Sequence, residues 1–421
     1  MLGQTNAKIV TGGSQQQGEY FVKVIDYDGT VLDEQWLDDG AEYTLPSAPS
    51  HTGLVFQEWS SSETITNGKI TIDKNNVMIG ATYTTVSGQN EFDIELTSST
   101  GLNVTLNMSG TKDWGDGTTD TNTSHTYSQE GQYTIKCDGT MSSSLSASNG
   151  LFGQSGSSVN RYVKFARLVV ATITGNSLRN CKSLQFVTIS NNCSTIGIVA
   201  FRYDEKLSNV IIPKSITLLD ESTFEGCYYL RYVVLPNTLL KIKSSCFMDC
   251  RYCLIITIPS SVTEIQYNAL TSCYYSFMNY NLYFNEISIG NTALSSFTPM
   301  QKIKIKKITG LVQGAFSNNY LKEIEILSGL TNIPNSAFSN SYCLSKIGSL
   351  KDVVSIGNSA FYNCYNMLEY DFSEATSIPT LGTSVFYGIN PLCKIKVPRA
   401  LYDEWIATAN WSDYADYIVA V

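Results

Sequence analysis

Histidine is almost absent from this sequence, since His51 and His125 are the only two in 421 residues. Zinc sites and acid–base centres use this side chain more often than most others. The sequence also lacks the G-x-S-x-G elbow, the P-loop, the G-x-G-x-x-G loop and the H-E-x-x-H motif. These absences predict a protein that is not an enzyme and that holds no metal or cofactor.

Charge is scarce as well, at 15% of residues, and its balance is a net −9. Nucleic-acid binding needs a basic footprint, so we expect no nucleic-acid partner. No window approaches the roughly 18 apolar residues of a membrane span, so we expect no membrane insertion. The first ten residues lack the basic start and apolar run of a signal peptide. We therefore expect either that a signal was removed or that the protein needs no secretion route.

The cysteines do not form a disulfide pattern. There are eleven, an odd number, and ten of them follow residue 180. Disulfide frameworks are typical of short chains with an even count. The pair Cys250 and Cys253 has the C-x-x-C spacing, but no second pair accompanies it. We expect thiols buried at repeated structural positions.

What the sequence has in abundance is repetition, with a 23-residue period over its carboxy-terminal two-thirds. An aromatic or apolar residue, here called the phase residue, recurs at this interval, with intervals of 22, 23 and 25 residues after Phe316. It follows an aliphatic residue by five positions and often precedes a cysteine by three. The phase residues are Leu178, Phe201, Phe224, Phe247, Leu270, Ala293, Phe316, Phe338, Phe361 and Phe386. The cysteines are Cys181, Cys227, Cys250, Cys273 and Cys364.

One repeat unit cannot bury its own apolar face, so neighbouring units must stack. We expect a solenoid of about nine to ten coils, each with a short strand, a turn and a second short segment. Cysteine would fill a tight turn as a small apolar residue. Residues 273–310 depart from the pattern, because Ser288 replaces the aliphatic between Ile287 and Ile289 and a basic run, 302–307, follows. We expect a distorted coil there, or a bulge that shifts the aliphatic by one residue.

The pattern L-x-x-I/V-x-I-P-x-x-V/I-x-x-I-x-x-x-A-F-x-x-C resembles the BspA-type leucine-rich repeat over residues 160–398. The resemblance implies a non-catalytic bacterial surface protein that adheres to host proteins, other cells or glycans. Residues 399–421 resemble the helical tail that closes many such arrays. Leu401, Trp405 and Ala409 lie there at helical spacing and are expected to cover the open end.

Two small modules are expected before the solenoid. Residues 1–18 read as a short apolar peg and a flexible linker. Residues 19–88 begin with an alternating strand and an Asp28-Gly29 turn, which predicts a hairpin. The order V-x-D-G, L-P, F-x-x-W, A-x-Y resembles the internalin B-repeat-like β-grasp module, with Trp59 as a core anchor.

Residues 89–141 carry W-G-D-G, H-x-Y and G-x-Y-x-I in an order similar to the PKD-type immunoglobulin-like sandwich. Asp113, Asp116 and Asp120 lack calcium-loop spacing. We expect Asp116 to accept backbone hydrogen bonds, with His125 and Tyr127 packed beneath it. Residues 142–159, rich in serine and glycine, form a hinge or an irregular first coil. The predicted fold is mostly β: two small β modules, a leucine-rich-repeat solenoid and a short helical cap.

Tyrosine is unusually abundant, with 26 residues, and its positions are the best guide to a binding surface. Residues of equal phase form a stripe along one side of a solenoid, and tyrosine offers a flat apolar face with a hydroxyl at small entropy cost. We interpret this edge as a ligand-binding surface; the alternative is that it only covers the ridge between coils. The column four residues after the phase residue holds the candidates Tyr228, Tyr274, Tyr320, Tyr342 and Tyr365, and the neighbouring Tyr229, Tyr252, Tyr275 and Tyr362 thicken the same edge.

Three functions remain open. The first is a fibre-like or receptor-binding component of a bacteriophage particle, located on the virion surface. Its amino-terminal segment would bind another structural protein, and its distal solenoid would reach a bacterial surface glycan or protein. The second is a BspA-like adhesin of the bacterial cell surface, and the third is a virion decoration protein without a ligand. A homo-oligomer is compatible with each.

Overall fold

Short strands joined by turns account for nearly all of the secondary structure in the computed structural model, which describes residues 18–143, 145, 149–153, 160–253, 255–273, 280–296 and 300–421. Two small β modules precede a β-solenoid of about ten turns, which ends in a short helix. This is the fold class that the sequence predicts. Among the described residues, no helix has the length and apolarity needed to cross a bilayer.

The first module is built on a hairpin whose turn is Asp28-Gly29, as predicted, with Gly29 at a φ of 84°. Its strands are β1 (Tyr20–Ile25), β2 (Val31–Leu37), β3 (Glu42–Thr44), β4 (Leu54–Ser61), β5 (Lys69–Thr71) and β6 (Val77–Thr85). The main sheet has the order β2-β1-β6-β4, in which β1 is antiparallel to β2 and parallel to β6; β3 and β5 form a separate pair.

Strand β1 is buried on both faces, and this determines where the module lies. Side chains alternate across a strand, so Val22 and Val24 enter the module's own core. On the opposite face Phe21 and Ile25 pack against the solenoid residues of a second cluster, Ile211 among them. The first module therefore lies against the solenoid, and the expected arrangement of β modules leading out to a distal array is wrong.

The second module shares its sheet with the solenoid. Its strands are β7 (Asn90–Leu96), β8 (Asn103–Thr105), β9 (Lys112–Asp113), β10 (Thr119–Asp120), β11 (Ser124–Thr126) and β12 (Gly131–Cys137). They are followed by β13 (Val163–Leu168), β14 (Thr172–Ile173) and β15 (Phe186–Ile189). The sheet order is β10-β9-β12-β7-β13-β15, so the solenoid strand β13 pairs directly with β7. Leu151 and Phe152 are buried in the same core, so part of 142–159 packs into the body of the protein, whereas Ser143, Asn149 and Gly153 are exposed.

Each regular coil contributes two short strands, and equivalent strands of successive coils pair in parallel. The strands therefore form two parallel ladders along the solenoid. The first ladder begins with β13 and β15, and the second begins with β14. The next strands are β16 (Thr195–Ile196), β17 (Asn209–Ile211), β18 (Leu218–Leu219), β19 (Tyr232–Val234), β20 (Lys241–Ile242), β21 (Ile255–Ile256) and β22 (Glu264–Ile265). After them come β23 (Tyr280–Ile289), β24 (Met300–Leu311), β25 (Glu323–Ile326), β26 (Asn332–Ile333), β27 (Lys346–Ile347), β28 (Ser355–Ile356), β29 (Glu369–Asp371), β30 (Thr380–Leu381), β31 (Lys394–Val397) and β32 (Ile418–Ala420). The pair Val210↔Val233 shows the 23-residue register.

The phase residues stack in the solenoid core. Phe224 lies between Phe201 and Phe247, with ring centroids 5.2 and 5.4 Å apart and nearly parallel planes. Phe338 lies in the same way between Phe316 and Phe361, at 5.3 and 5.2 Å. These spacings are close to the roughly 4.8 Å between paired strands. The aromatic column therefore follows the strand ladder from coil to coil.

Two residues in each regular coil adopt left-handed backbone conformations, two positions before and two after the phase residue. Around Phe338 they are Ser336 and Asn340, with φ of 54° and 57°. Glycine, and to a lesser extent asparagine, adopts this conformation more readily than other residues do. The bends explain why these residue types recur so often between the apolar positions.

The expected irregularity at residues 273–310 is confirmed as a one-residue shift. Strands β23 and β24 are long and span both ladders, and Ile289, not Ser288, pairs with Ile265. The assignment of Ala293 as a phase residue is wrong for the same reason. Leu270 N donates to Ala293 O, as Phe316 N donates to Ala337 O. Ala293 therefore occupies the alanine column, and the buried Leu294 takes the phase position.

The carboxy-terminal cap is a helix, α1 (Tyr402–Ala407), flanked by 3-10 helices Arg399–Leu401 and Ser412–Tyr417. Trp405 and Trp411 are fully buried, and both contact Phe372 at 5.6 Å. Ala409, expected to cover the open end, is exposed because the helix ends at Ala407. Strand β32 then adds a last parallel strand beside β31.

Candidate binding surface

The predicted tyrosine edge lies in the turns that follow the phase residues. Tyr229 and Tyr252 are 51% and 41% exposed, and their rings stack at 5.0 Å with planes 4° apart. Tyr342 and Tyr365 are also exposed and stack at 5.8 Å and 13°. The 23-residue register brings these rings together, because equal positions in successive coils are one strand spacing apart.

The other candidates divide into three groups. Tyr320 is exposed, at 54%. Tyr228 is half-buried, and the guanidinium of Arg251 lies 5.1 Å from its ring centre, in a cation–π geometry. Tyr274 and Tyr275 lie outside the described residues. We define the tyrosine edge from here on as Tyr229, Tyr252, Tyr320, Tyr342 and Tyr365.

One stacked pair was missed by the sequence reasoning. Tyr387 is exposed, and its ring stacks on Tyr362 at 4.6 Å and 9°. Each of these tyrosines directly follows a phase residue, Phe361 or Phe386. The interval between these two phase residues is 25 residues and not 23, so the relationship between the two tyrosines is not evident from the regular period. Leu392, at 78% exposure, lies just beyond Tyr387 in the chain and adds apolar surface to this end of the solenoid.

The aspartates of the second module form a turn, as expected. Asp116 Oδ1 accepts the Thr118 N–H at 3.0 Å, and its Oδ2 lies 2.7 Å from His125 Nε2. Burial opposes ionisation, but the hydrogen bonds from His125 and Thr118 outweigh it and lower the pKa of Asp116. Asp120 accepts Trp114 Nε1–H at 3.0 Å, and Tyr127 donates to Trp114 O at 2.7 Å. The prediction that Asp116 organises the turn above His125 and Tyr127 is confirmed.

The other histidine packs inside the first module, next to the contact with the solenoid. His51 Nε2 lies 2.6 Å from Asp26 Oδ2, and the ring contacts Tyr27 and Tyr83 edge-on. Tyr27 in turn stacks on the solenoid residue Phe165 at 5.3 Å. Across the described ranges, no three His, Cys, Asp or Glu side chains gather where they could hold a metal ion.

A groove of about 800 Å³ separates the first module from the six-stranded sheet. Its charged residues are largely paired with one another. Arg167 donates two hydrogen bonds to Asp93, at 3.0 and 2.7 Å, and Lys164 pairs with Glu95 at 2.9 Å. Because these charges are already neutralised, the groove has the character of a seam between modules.

Solved structures that are similar to this chain include three leucine-rich repeat proteins. A leucine-rich repeat protein from Bacteroides ovatus has 21% identity, with 60% of this chain and 76% of that chain covered and a TM-score of 0.44. A leucine rich cell surface protein from Faecalibacterium prausnitzii has 23% identity, with 56% and 79% covered and a TM-score of 0.30. A leucine-rich repeat protein from T. pallidum has 18% identity, with 58% and 84% covered and a TM-score of 0.28.

A family model also matches the sequence. It describes the BspA type leucine-rich repeat region and matches residues 161–278 and 287–403 in six copies. The gap between the two matches falls within the irregular stretch, at residues 279–286. No curated protein matches the chain.

Proposed function

The chain belongs to the BspA type leucine-rich repeat family, whose repeat covers residues 161–278 and 287–403, and on this premise we propose that it is a non-enzymatic recognition and adhesion protein. It binds a bacterial surface glycan or protein through the tyrosine edge. The observation that carries this proposal is the stacking of exposed tyrosines in register, Tyr229 on Tyr252 and Tyr342 on Tyr365.

The physical basis is that a stacked tyrosine ring is already ordered before a ligand arrives. Tyrosine loses little conformational entropy on binding, and it presents an apolar face beside a hydroxyl. Several such rings along one edge allow several weak contacts to act together. A long glycan or an extended protein surface could contact several of these rings at once, so it would gain the most affinity from this arrangement.

The finer part of the proposal is that the protein is a fibre-like or receptor-binding component of a bacteriophage particle. Residues 1–18 would attach it to another structural protein of that particle. The cysteines support assembly in a reducing compartment, because the thiols of Cys227, Cys250 and Cys364 donate hydrogen bonds to backbone carbonyls. Thiols that persist in this way fit synthesis and folding in a cytoplasm.

Family membership favours a second candidate, a BspA-like adhesin on a bacterial cell surface. The same tyrosine edge would then face a host protein, another cell or a glycan. The two candidates differ in what carries the protein, and detection of the chain by mass spectrometry in purified particles or in a cell-surface fraction separates them.

For the amino-terminal part we propose an internalin B-repeat-like module at 19–88 and a PKD-like module at 89–141. Support comes from the Asp28-Gly29 hairpin in the first and from the Asp116–His125 pair in the second. With residues 142–159 joining the second module to it, the solenoid would extend over 160–398 and the cap over 399–421. In this arrangement the modules position the solenoid, and the solenoid carries the recognition.

The proposal is tested with a glycan array and with whole bacterial cells. We compare the wild type with a variant in which Tyr229, Tyr252, Tyr342 and Tyr365 are changed to alanine. The matched control is Tyr267→Ala, which removes an equally exposed ring from a different column. Loss of binding in the fourfold variant and retention in the control support recognition through this edge. Equal binding by all three proteins rejects it, and absence of any wild-type binding favours a decoration protein.

A further inference from the structure

A groove of about 540 Å³ opens where the first module meets the early coils of the solenoid, directly beside Tyr229. One wall is the Asp28-Gly29 turn of the first module, and the other is built from the solenoid. Gly29 lies so close to Asn209 that a Cβ at this position would collide with the Asn209 amide. The two parts of the chain therefore meet tightly at the base and diverge above it.

The 23-residue register places charged and aromatic residues side by side in this groove. Lys206 occupies the position of Tyr229 one coil earlier, and Tyr252 follows Tyr229 one coil later. In the neighbouring column Ser208 precedes Arg231 by one coil. Successive coils are about 4.8 Å apart, so a cation, an aromatic ring and a second cation fall within the span of one or two sugar rings.

The two cations of the groove are not held in ion pairs by the described residues. In the described parts of the chain, Lys206 and Arg231 belong to no ion pair, whereas the nearby Lys182 is paired with Glu205 at 2.6 Å. The carboxylate in the lining is that of Asp28, and its Oδ1 accepts the Thr30 N–H at 2.9 Å. The lining therefore holds two unpaired cations and one carboxylate, and in a chain of net charge −9 this local excess of positive charge favours an anion.

The base of the groove adds polar groups. Asn209 is buried, and its Nδ2 donates to Ser208 Oγ at 2.9 Å. Its Oδ1 has no hydrogen-bond partner among the described residues. Asn209 therefore adds a buried amide beneath the groove, covered by the Gly29 turn. Gln185, exposed at the rim, offers a further amide.

We propose that this groove binds an anionic saccharide, with the sugar ring against Tyr229 and the acid group held by Arg231 and Lys206. The guanidinium fork of arginine suits a carboxylate or a phosphate, and lysine adds a second positive charge. Tyr229 belongs to the tyrosine edge, so this inference rests on the proposed function and gives it a ligand class. Two cations in an acidic chain are too few for a nucleic acid, which needs an extended basic surface.

The test measures binding of the full chain by calorimetry. The probes are tetragalacturonate, its fully methyl-esterified form, which keeps the rings and removes the charge, and mannose 6-phosphate. The variant is K206Q/R231Q, and the control is K394Q/R399Q, which removes two exposed cations at the far end of the solenoid. We expect at least one acidic probe to bind, and K206Q/R231Q to weaken it about tenfold or more, while the control leaves it unchanged. The carboxylate and phosphate arms identify which acid is preferred.

Several results would overturn the inference. The first two are that the wild type binds tetragalacturonate and its methyl ester equally well, or that K206Q/R231Q binds the acidic probes as tightly as the wild type does. The other two are that a polyglutamate peptide binds the wild type as tightly as the sugars do, or that neither acidic probe binds. The proposed function fails separately. If the fourfold tyrosine variant loses cell binding while K206Q/R231Q retains it, recognition through the edge stands and the anionic-saccharide groove does not.

Discussion

The thiol of Cys227 donates a hydrogen bond to the carbonyl oxygen of Phe201, one coil earlier, at 3.1 Å. The same carbonyl also accepts the Asp204 N–H at 3.2 Å. The relationship recurs from Cys250 to Phe224 and from Cys364 to Phe338. The cysteine column is therefore a row of buried donors as well as a row of small side chains.

Coils without cysteine use other donors at the equivalent position. Ser341 Oγ donates to Phe316 O at 2.9 Å, and Asn319 Nδ2 donates to Leu294 O at 2.8 Å. We predict that Cys364→Ser costs less than about 1 kcal/mol of unfolding free energy, because it keeps the donor. Cys364→Ala should cost about 1–3 kcal/mol, because it removes both the donor and volume from the core. Chemical denaturation measures both, and a serine variant no more stable than the alanine variant would contradict the hydrogen-bonding role.

Burial should also make these thiols unreactive. Desolvation raises the pKa of Cys364 to about 12 and that of Cys227 well above its usual value. Only the thiolate reacts with disulfide reagents and maleimides, so we predict that Cys227, Cys250 and Cys364 react only after unfolding. Cys343, which is partly exposed, should react in the native protein. Peptide mapping after a short maleimide pulse checks this, and rapid labelling of Cys227 would show that the coil opens readily.

The shifted coil predicts different costs for two adjacent residues. Leu294 occupies the phase position, so Leu294→Ala should cost about 2–5 kcal/mol through cavity formation. Ala293 occupies the alanine column, where a larger side chain meets neighbouring coils. Ala293→Leu should therefore destabilise by about 1–3 kcal/mol through overpacking. Urea midpoints of the two variants provide the measurement. If Ala293→Leu stabilised the protein instead, Ala293 would be the phase residue after all.

A half-buried carboxyl group near the seam between the first module and the solenoid should make stability depend on pH. Burial and the charge of Asp73 raise the pKa of Glu63 from 4.5 to about 7, against the opposing hydrogen bond from Asn75. Asn75 Oδ1 also accepts the solenoid N–H of Tyr283 at 2.7 Å, which places Glu63 beside this seam. The raised pKa means that the stabilising proton is fully bound below about pH 4.5 and lost as pH rises through 7.

Glu63→Gln keeps the shape and removes this titration. We predict that it stabilises the protein by about 2–3 kcal/mol at pH 8 and has little effect at pH 4.5. The exposed Glu130→Gln serves as the control and should change neither value. Denaturant titrations at the two pH values decide the matter, and a gain at pH 4.5 equal to that at pH 8 would exclude a raised pKa as the cause.

The repetitive part of the fold could be predicted because its determinants are periodic. Phe201, Phe224 and Phe247 share one environment, so their 23-residue spacing specifies both the stacking and the neighbouring ladders. The position of the tyrosine edge follows from the same spacing. The break at Ser288 was visible as well, since the periodic aliphatic is missing there, but the compensating move of the phase to Leu294 depends on hydrogen bonds between coils.

The docking of the first module could not be read from the sequence. Phe21 and Ile211 lie in one cluster although they are far apart in the chain, and no periodic pattern links them. The alternation in Tyr20–Ile25 indicates one buried face, whereas the second face is buried only because the solenoid covers it. The groove beside Tyr229 depends on this docking. Its cations were therefore visible in the sequence only as ordinary surface residues.

The most direct test of the account is the affinity of the protein for the strongest ligand found on the glycan array or cell surface. We predict that Tyr229→Ala/Tyr252→Ala and Tyr342→Ala/Tyr365→Ala each weaken it by about tenfold or more, since each removes a stacked aromatic pair. Tyr267→Ala should leave the dissociation constant unchanged. Dissociation constants that are the same for all three variants and the wild type would contradict recognition through the tyrosine edge.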